Sequence, residues 1–222
     1  MATPTTVDTD TELSAVNSIL GAIGQSPVTT LGDFNTVTDP NGNVSTVHSY
    51  ANPEIGFIYN ILKEVNKDVQ NEGWIFNIER HVVKSPEATT GYITIPANVL
   101  SYDVHDGQTY RTQDLVRRNG RLYDLVKHTD VFTTDISIDI TYLWEFEDLP
   151  LPFKRYITYR AAGRAATQLV SNPQLVQLLQ QQEGQARAVC MEYECNQGDH
   201  SFFGLPHESR YNSYQPYLAL RR

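Results

Sequence analysis

The 222-residue chain has only two cysteines, Cys190 and Cys195, five positions apart in a helical pattern. Five steps along an α-helix turn roughly 140° about its axis, so the two thiols point to different faces and an intrahelical bridge is sterically implausible. Reduced thiols and synthesis inside a cell are the expectation. No uninterrupted apolar run reaches the length of about 18 residues that suggests a membrane-spanning helix. The opening MATPTTVDTDTE has neither a basic region nor an apolar core, so a secretory leader is not expected either.

Positive charge is scarce too. Lys and Arg number 17 against 26 Asp and Glu, a formal net charge of -9, the opposite of the basic footprint that grips nucleic-acid phosphates. A chain of this charge that meets DNA is expected to let it slide. Signatures of chemistry are also thin. Gly21-Ala22-Ile23-Gly24 lacks the third glycine and the preceding strand of a dinucleotide-binding loop. No Gly-x-Ser-x-Gly elbow occurs, and the six histidines never stand at i, i+4 or beside a CxxC pair. No metal, no cofactor and no catalytic residue is expected. Glu145, Glu147 and Asp148 come nearest to a catalytic set, because glycoside hydrolysis uses two carboxylates across a cleft. A solvated strand end running into a proline loop carries the same residues, and that reading is preferred.

What the chain does have is periodicity, with 40% hydrophobic and 19% charged residues, enough for one core or a core with a subdomain. Thr9-Asp10-Thr11-Glu12 reads as a capping box opening a helix with Leu13, Val16, Leu20 and Ile23 on one face, stopped at Gly24. The stretch 34–47, with Asp39-Pro40-Asn41-Gly42 at its centre, is a hairpin or a plain mobile loop. Pro53 starts a second helix with Ile55, Ile58, Leu62, Val65 and Val69 in a stripe, stopped at Gly73. The period then changes to two. Trp74, Phe76 and Ile78 alternate, Tyr92-Ile93-Thr94-Ile95 is strand-like, Asn119-Gly120 marks a tight hairpin, and Ile136 to Phe146 alternate over eleven residues. After Pro150 a third helix carries Arg155, Arg160 and Arg164 on one side, suited to pairing with acidic neighbours in the chain, with a partner subunit or with DNA phosphates, the first two being preferred in so acidic a chain. Ser171-Asn172-Pro173 caps a fourth helix with Leu175, Leu178, Leu179, Ala186, Val189, Cys190 and Tyr193 as its stripe, antiparallel to the third.

The expected fold is α+β: an antiparallel helical bundle (9–72 and 150–195), an inserted antiparallel β-sheet or small barrel (73–149), and an extended C-terminal arm (196–222). The arm is aperiodic yet rich in Tyr211, Tyr214, Tyr217, Leu218 and Leu220, a composition suited to docking on another surface. The tip Arg117-Arg118-Asn119-Gly120 is a candidate contact site for a partner. Gly73, Trp74 and Phe76 are the candidate domain junction.

Three blocks carry a resemblance. TELSAVN (11–17) through IGQSPV (23–28), GWIFNIE (73–79) and ARAVCMEYE (186–194), in this order and spacing, resemble the tail tubular protein A family of short-tailed bacteriophages. The resemblance implies a virion tail protein made in the host cytoplasm, not an enzyme but a head-to-tail adaptor. It further implies a homo-oligomeric ring, dodecameric in that family, docked under the portal protein. Below it the ring receives the nozzle, tail tubular protein B, and it helps to seat tail fibres while double-stranded DNA passes without specific binding. The segment 33–52 and the chain after Gly198 are longer than the family pattern, so their contacts do not carry over. The rival expectation is a polysaccharide hydrolase acting on capsule or cell wall.

Overall fold

A computed structural model describes residues 10–38, 44–50, 52–104 and 113–198. The C-terminal positions Tyr211 to Leu220 and the turn Asp39-Pro40-Asn41-Gly42 lie outside the described residues. The architecture is mixed α+β with antiparallel pairing.

Helix α1 spans Glu12–Ala22. Its cap falls two residues later than the sequence box suggests. Asp10 takes a left-handed φ of 83°, which interrupts any helical run, and Thr11 becomes the N-cap, its hydroxyl accepting from the Ser14 amide at 3.2 Å. Glu12 is thereby freed from capping and accepts from the Tyr59 hydroxyl at 2.7 Å and from Lys63. At the other end Gly24, at φ 80°, closes a Schellman turn: its amide donates to Gly21 O, and the Gln25 amide to Leu20 O at 2.8 Å.

Strands β1 (Gly32–Thr38) and β2 (Val44–Tyr50) pair antiparallel from Gly32↔Tyr50 to Thr38↔Val44, a hairpin rather than a plain loop. Helix α2 (Pro53–Asn71) buries Ile55, Ile58, Leu62, Val65 and Val69 and stops before Gly73 at φ 78°. Strands β3 (Ile78–Lys84), β4 (Val99–Val104) and β7 (Ile136–Tyr142) form a three-stranded sheet in the order β3-β7-β4. Strands β5 (Leu115–Arg118) and β6 (Arg121–Asp124) form a separate hairpin. Helices α3 (Leu151–Leu169) and α4 (Pro173–Gly198) pack against one another, and α3 also packs on α1 and α2.

Three strand expectations shorten. GWIFNIE is a turn as far as Asn77, with strand only from Ile78. Ile93 and Ile95 are buried and Thr94 exposed, as alternation predicts, but the segment makes a single bridge, Thr94↔Arg121, rather than a strand. The long alternation stops at Tyr142, because Trp144 is taken by a helix side chain and Phe146 sits in a 3-10 turn, Phe146–Asp148. The fourth helix runs two residues past Asn196, to Gly198.

Apolar burial falls into two clusters. One joins all four helices, from Val16 and Ile58 to Phe153, Ala165 and Cys190. The other gathers Ile93, Ile95, Leu115, Leu122, Phe132, Ile136, Ile138 and Ile140 beneath the β segments.

Candidate assembly surfaces

Between the two clusters the chain turns at 73–78, and every backbone amide from Trp74 to Ile78 except that of Phe76 has a named acceptor. The Trp74 amide donates to Asn77 Oδ1 at 2.8 Å, while those of Asn77 and Ile78 return to Trp74 O. Both oxygens of the Glu194 carboxylate, on α4, lie 3.0 Å from the Ile75 amide. Trp74 and Phe76 both belong to the helical side: each packs on Phe153 of α3, with centroids 4.9 and 4.6 Å apart, and Tyr193 of α4 meets Phe153 from another edge. The Trp74 indole donates to Val69 O at 2.7 Å.

The stitch to the β side is made by two buried amides instead. Asn77 Nδ2 donates to Gln70 O and to Tyr142 O, while the Tyr142 amide donates to Asn77 O. Gln70 acts like a neighbouring strand for Trp144, its Oε1 accepting from the Trp144 amide at 2.8 Å and its Nε2 donating to Trp144 O at 2.9 Å. Sequence patterning missed both residues. An Asn one place from an aromatic stripe and a Gln in a helix carry no periodic signal.

The second surface lies on α3 and α4. The arginine row divides: Arg160 pairs with Glu72 at 2.9 Å and Arg164 with Asp68 at 2.6 Å, both on or just beyond α2, whereas Arg155 makes no ion pair among the described residues. Arg155 lines a groove of about 340 Å³ with Leu151, Tyr159, Gln182, Gln185 and Val189. The apolar stripe expected on α4 also divides. Leu179 and Cys190 are buried, but Leu178 and Val189 are 54% and 51% exposed. Residues 178, 182, 185 and 189 share one helical face, and within the described chain only α3 packs closely along α4. The inner face of α4 joins the helical cluster through Leu179, Cys190 and Tyr193, and polar contacts add to it: Arg187 reaches Glu72 at 3.2 Å and the Tyr156 hydroxyl at 3.0 Å, beside the Glu194 contact.

The third surface is the β5–β6 hairpin. Asn119 at φ 51° and Gly120 at φ 75° are the two left-handed residues that a type I′ turn requires. Arg117, Arg118, Asn119 and Arg121 are exposed. The Arg118 guanidinium lies 4.0 Å from the centre of the Tyr123 ring, and that of Arg121 lies 4.0 Å from that of Tyr92.

The remaining candidates for chemistry are dispersed. The Glu145 side chain is 82% exposed and pairs with Lys63 at 3.7 Å, and Glu147 and Asp148 are exposed in the 3-10 turn. Burial pushes the Cys190 thiol up to about 12 and, with the Glu12 carboxylate, the Tyr59 hydroxyl also to about 12. Both cysteines are free. Among the described residues no three His, Cys, Asp or Glu side chains converge as a metal-holding group. No helix there is long and apolar enough to cross a membrane.

The mixed α+β body thus carries an exposed apolar row on α4 and an arginine-tipped hairpin at its surface. The profile of the tail tubular protein family matches residues 13–200, and the chain belongs to that family, which makes it a structural component of a phage virion tail. It is similar to tail tubular protein A of Klebsiella phage KP34, 30% identical over 141 residues. That match covers 63% of this chain and 62% of the relative.

Proposed function

We propose that the protein is a head-to-tail adaptor, a ring subunit that joins the portal to the tail nozzle, leaves a passage for the genome and helps to seat tail fibres. The observation that carries this reading is the outer face of α4. A 26-residue helix whose buried residues are Leu179, Cys190 and Gly198 presents Leu178 and Val189 outward on the face whose Gln182 and Gln185 line the groove against α3. Its occupant is a second copy of the chain, as a closed ring of identical subunits requires of a side surface. The four-helix cluster forms the ring body, and residues 73–149 project from it. The Arg117 to Gly120 tip meets the nozzle or a fibre, and Tyr211, Tyr214, Tyr217, Leu218 and Leu220 dock on the portal or a neighbouring subunit. Net acidity keeps passing DNA unbound.

The test is assembly. Light scattering and electron microscopy of the purified chain, alone and with portal, are expected to show rings. The double variant Leu178→Glu, Val189→Glu is expected to remain folded and to lose them. A wild-type chain monomeric alone and with portal, or a double variant that forms rings as wild type does, refutes the assignment.

A further inference from the structure

The β5–β6 hairpin contains an arrangement that the fold alone does not reward. In its register Arg118 stands directly opposite Arg121. Directly opposed residues share one face of an antiparallel pair, and like charges there repel. Neither arginine has an ion-pair partner among the described residues, although the chain carries nine more acidic than basic side chains. The two guanidiniums diverge, each stacked on its own tyrosine, Tyr123 and Tyr92. Stacking on a ring face fixes the plane of a guanidinium and leaves its N–H edge open, the edge that accepts a carboxylate in a two-point bond. Arg117 extends the charge to the opposite face of the ribbon, where its field reaches Tyr102 on β4. The type I′ turn sets all three on a short, rigid tip.

We propose that this tip is a preorganised receptor for a carboxylate-rich protein surface, with Arg118 and Arg121 as two forks and Arg117 as a flanking charge. The inference rests on the adaptor reading for its setting and adds the partner's chemistry: exposed Asp and Glu side chains at the site where the tip lands. Protein is favoured over DNA because backbone-binding sites string positive charge along a groove. Here three arginines crowd one turn instead of following a groove.

The probe is fluorescein-labelled poly-L-glutamate, titrated at low ionic strength with the full chain and read by anisotropy, beside a labelled DNA duplex of equal charge. Wild type is expected to bind the polypeptide in preference to the duplex. Arg118→Glu with Arg121→Glu should weaken that binding at least tenfold, and Arg118→Lys with Arg121→Lys should fall between, since lysine keeps the charge and loses the fork. In the single variant Arg121→Glu affinity should drop while the thermal midpoint does not, because the opposed charges become complementary. Equal affinity for wild type and the double glutamate variant, preference for the duplex, or a midpoint that falls together with affinity would each overturn the proposal. Ring assembly scored on the same samples separates the two ideas: its failure in wild type counts against the adaptor reading, whatever the glutamate titration shows.

Discussion

At the scale of single residues, the polar side chains buried between the two apolar clusters carry more of the structure than their number suggests. Gln70 is fully buried and satisfies both backbone groups of Trp144 as well as Asn66. Gln70→Ala would strip those partners and leave a void, so a loss of about 3 kcal/mol is expected in urea denaturation. A loss under about 1 kcal/mol would show that water replaces the amide without penalty. The sequence exposed the aromatic members of this site and hid the amides. Trp74 and Phe76 announced themselves by alternation, yet alternation misread a turn as a strand, because the bonds that bend it come from Asn77, Glu194 and Gln70. Two titrating groups give a further test. The Cys190 thiol rises from 9.0 to about 12 and the Tyr59 hydroxyl from 10.0 to about 12 on folding, burial being the first cause in each. The unfolded chain releases these protons earlier, so the stabilisation is complete below the unfolded values and is lost as pH climbs through the folded ones. Stability is therefore expected to fall between about pH 9 and 12, read by denaturation midpoints. At pH 8 a thiol reagent should label exposed Cys195 and spare Cys190 until the chain unfolds.

Among the larger elements, helices were the more legible because their caps are local chemistry. Pro53, Asn172, Gly24 and Gly73 act within a turn of where they stand, and each marks a helix end as the sequence suggested. The one displaced cap, Thr11 for Thr9, follows from the left-handed Asp10. Strand ends were less legible, since a partner decides how far pairing continues, and the partner of Trp144 is a helix side chain. How the β1–β2 hairpin rests on α2 is equally a matter of one close approach. The Tyr50 ring lies over Gly56, where an added Cβ would stand 2.6 Å from Tyr50 Cδ2. Alanine at an ordinary helix interior position stabilises by about 1 kcal/mol relative to glycine. Here the overlap outweighs that gain, and Gly56→Ala is expected to cost about 1 kcal/mol net and to displace Tyr50. Faster proteolysis within residues 33–50 would register the displacement; a more stable variant cleaved at the wild-type rate would contradict it.

For the whole molecule, packing within the described chain gives no use to the exposed row of α4 or to the arginine tip, and the adaptor proposal assigns both to contacts in an assembly. The C-terminal residues lie outside the described structure, so their part in assembly is a prediction from composition. Removing 208–222 is expected to leave the thermal midpoint unchanged and to abolish capture of portal rings in a pull-down. Undiminished capture would remove the arm from the docking surface. This test is independent of the α4 variants, which act on contacts between copies of the chain.

The sequence by itself determined the mixed α+β class, the helix stops before Gly24 and Gly73, the Asn119-Gly120 turn and, through three blocks in register, the family. Each of these is written in short-range chemistry: left-handed glycines, side-chain caps and the period of apolar residues. Only the tertiary structure decided that Leu178 and Val189 face outward, that Arg160 and Arg164 are spent on α2 while Arg155 is not, and that Gln70 and Asn77 stitch helix to sheet. Those outcomes depend on which surfaces meet across long separations in the chain. A helical stripe states that a face is apolar, but only the presence or absence of a packing neighbour decides whether that face becomes core or contact.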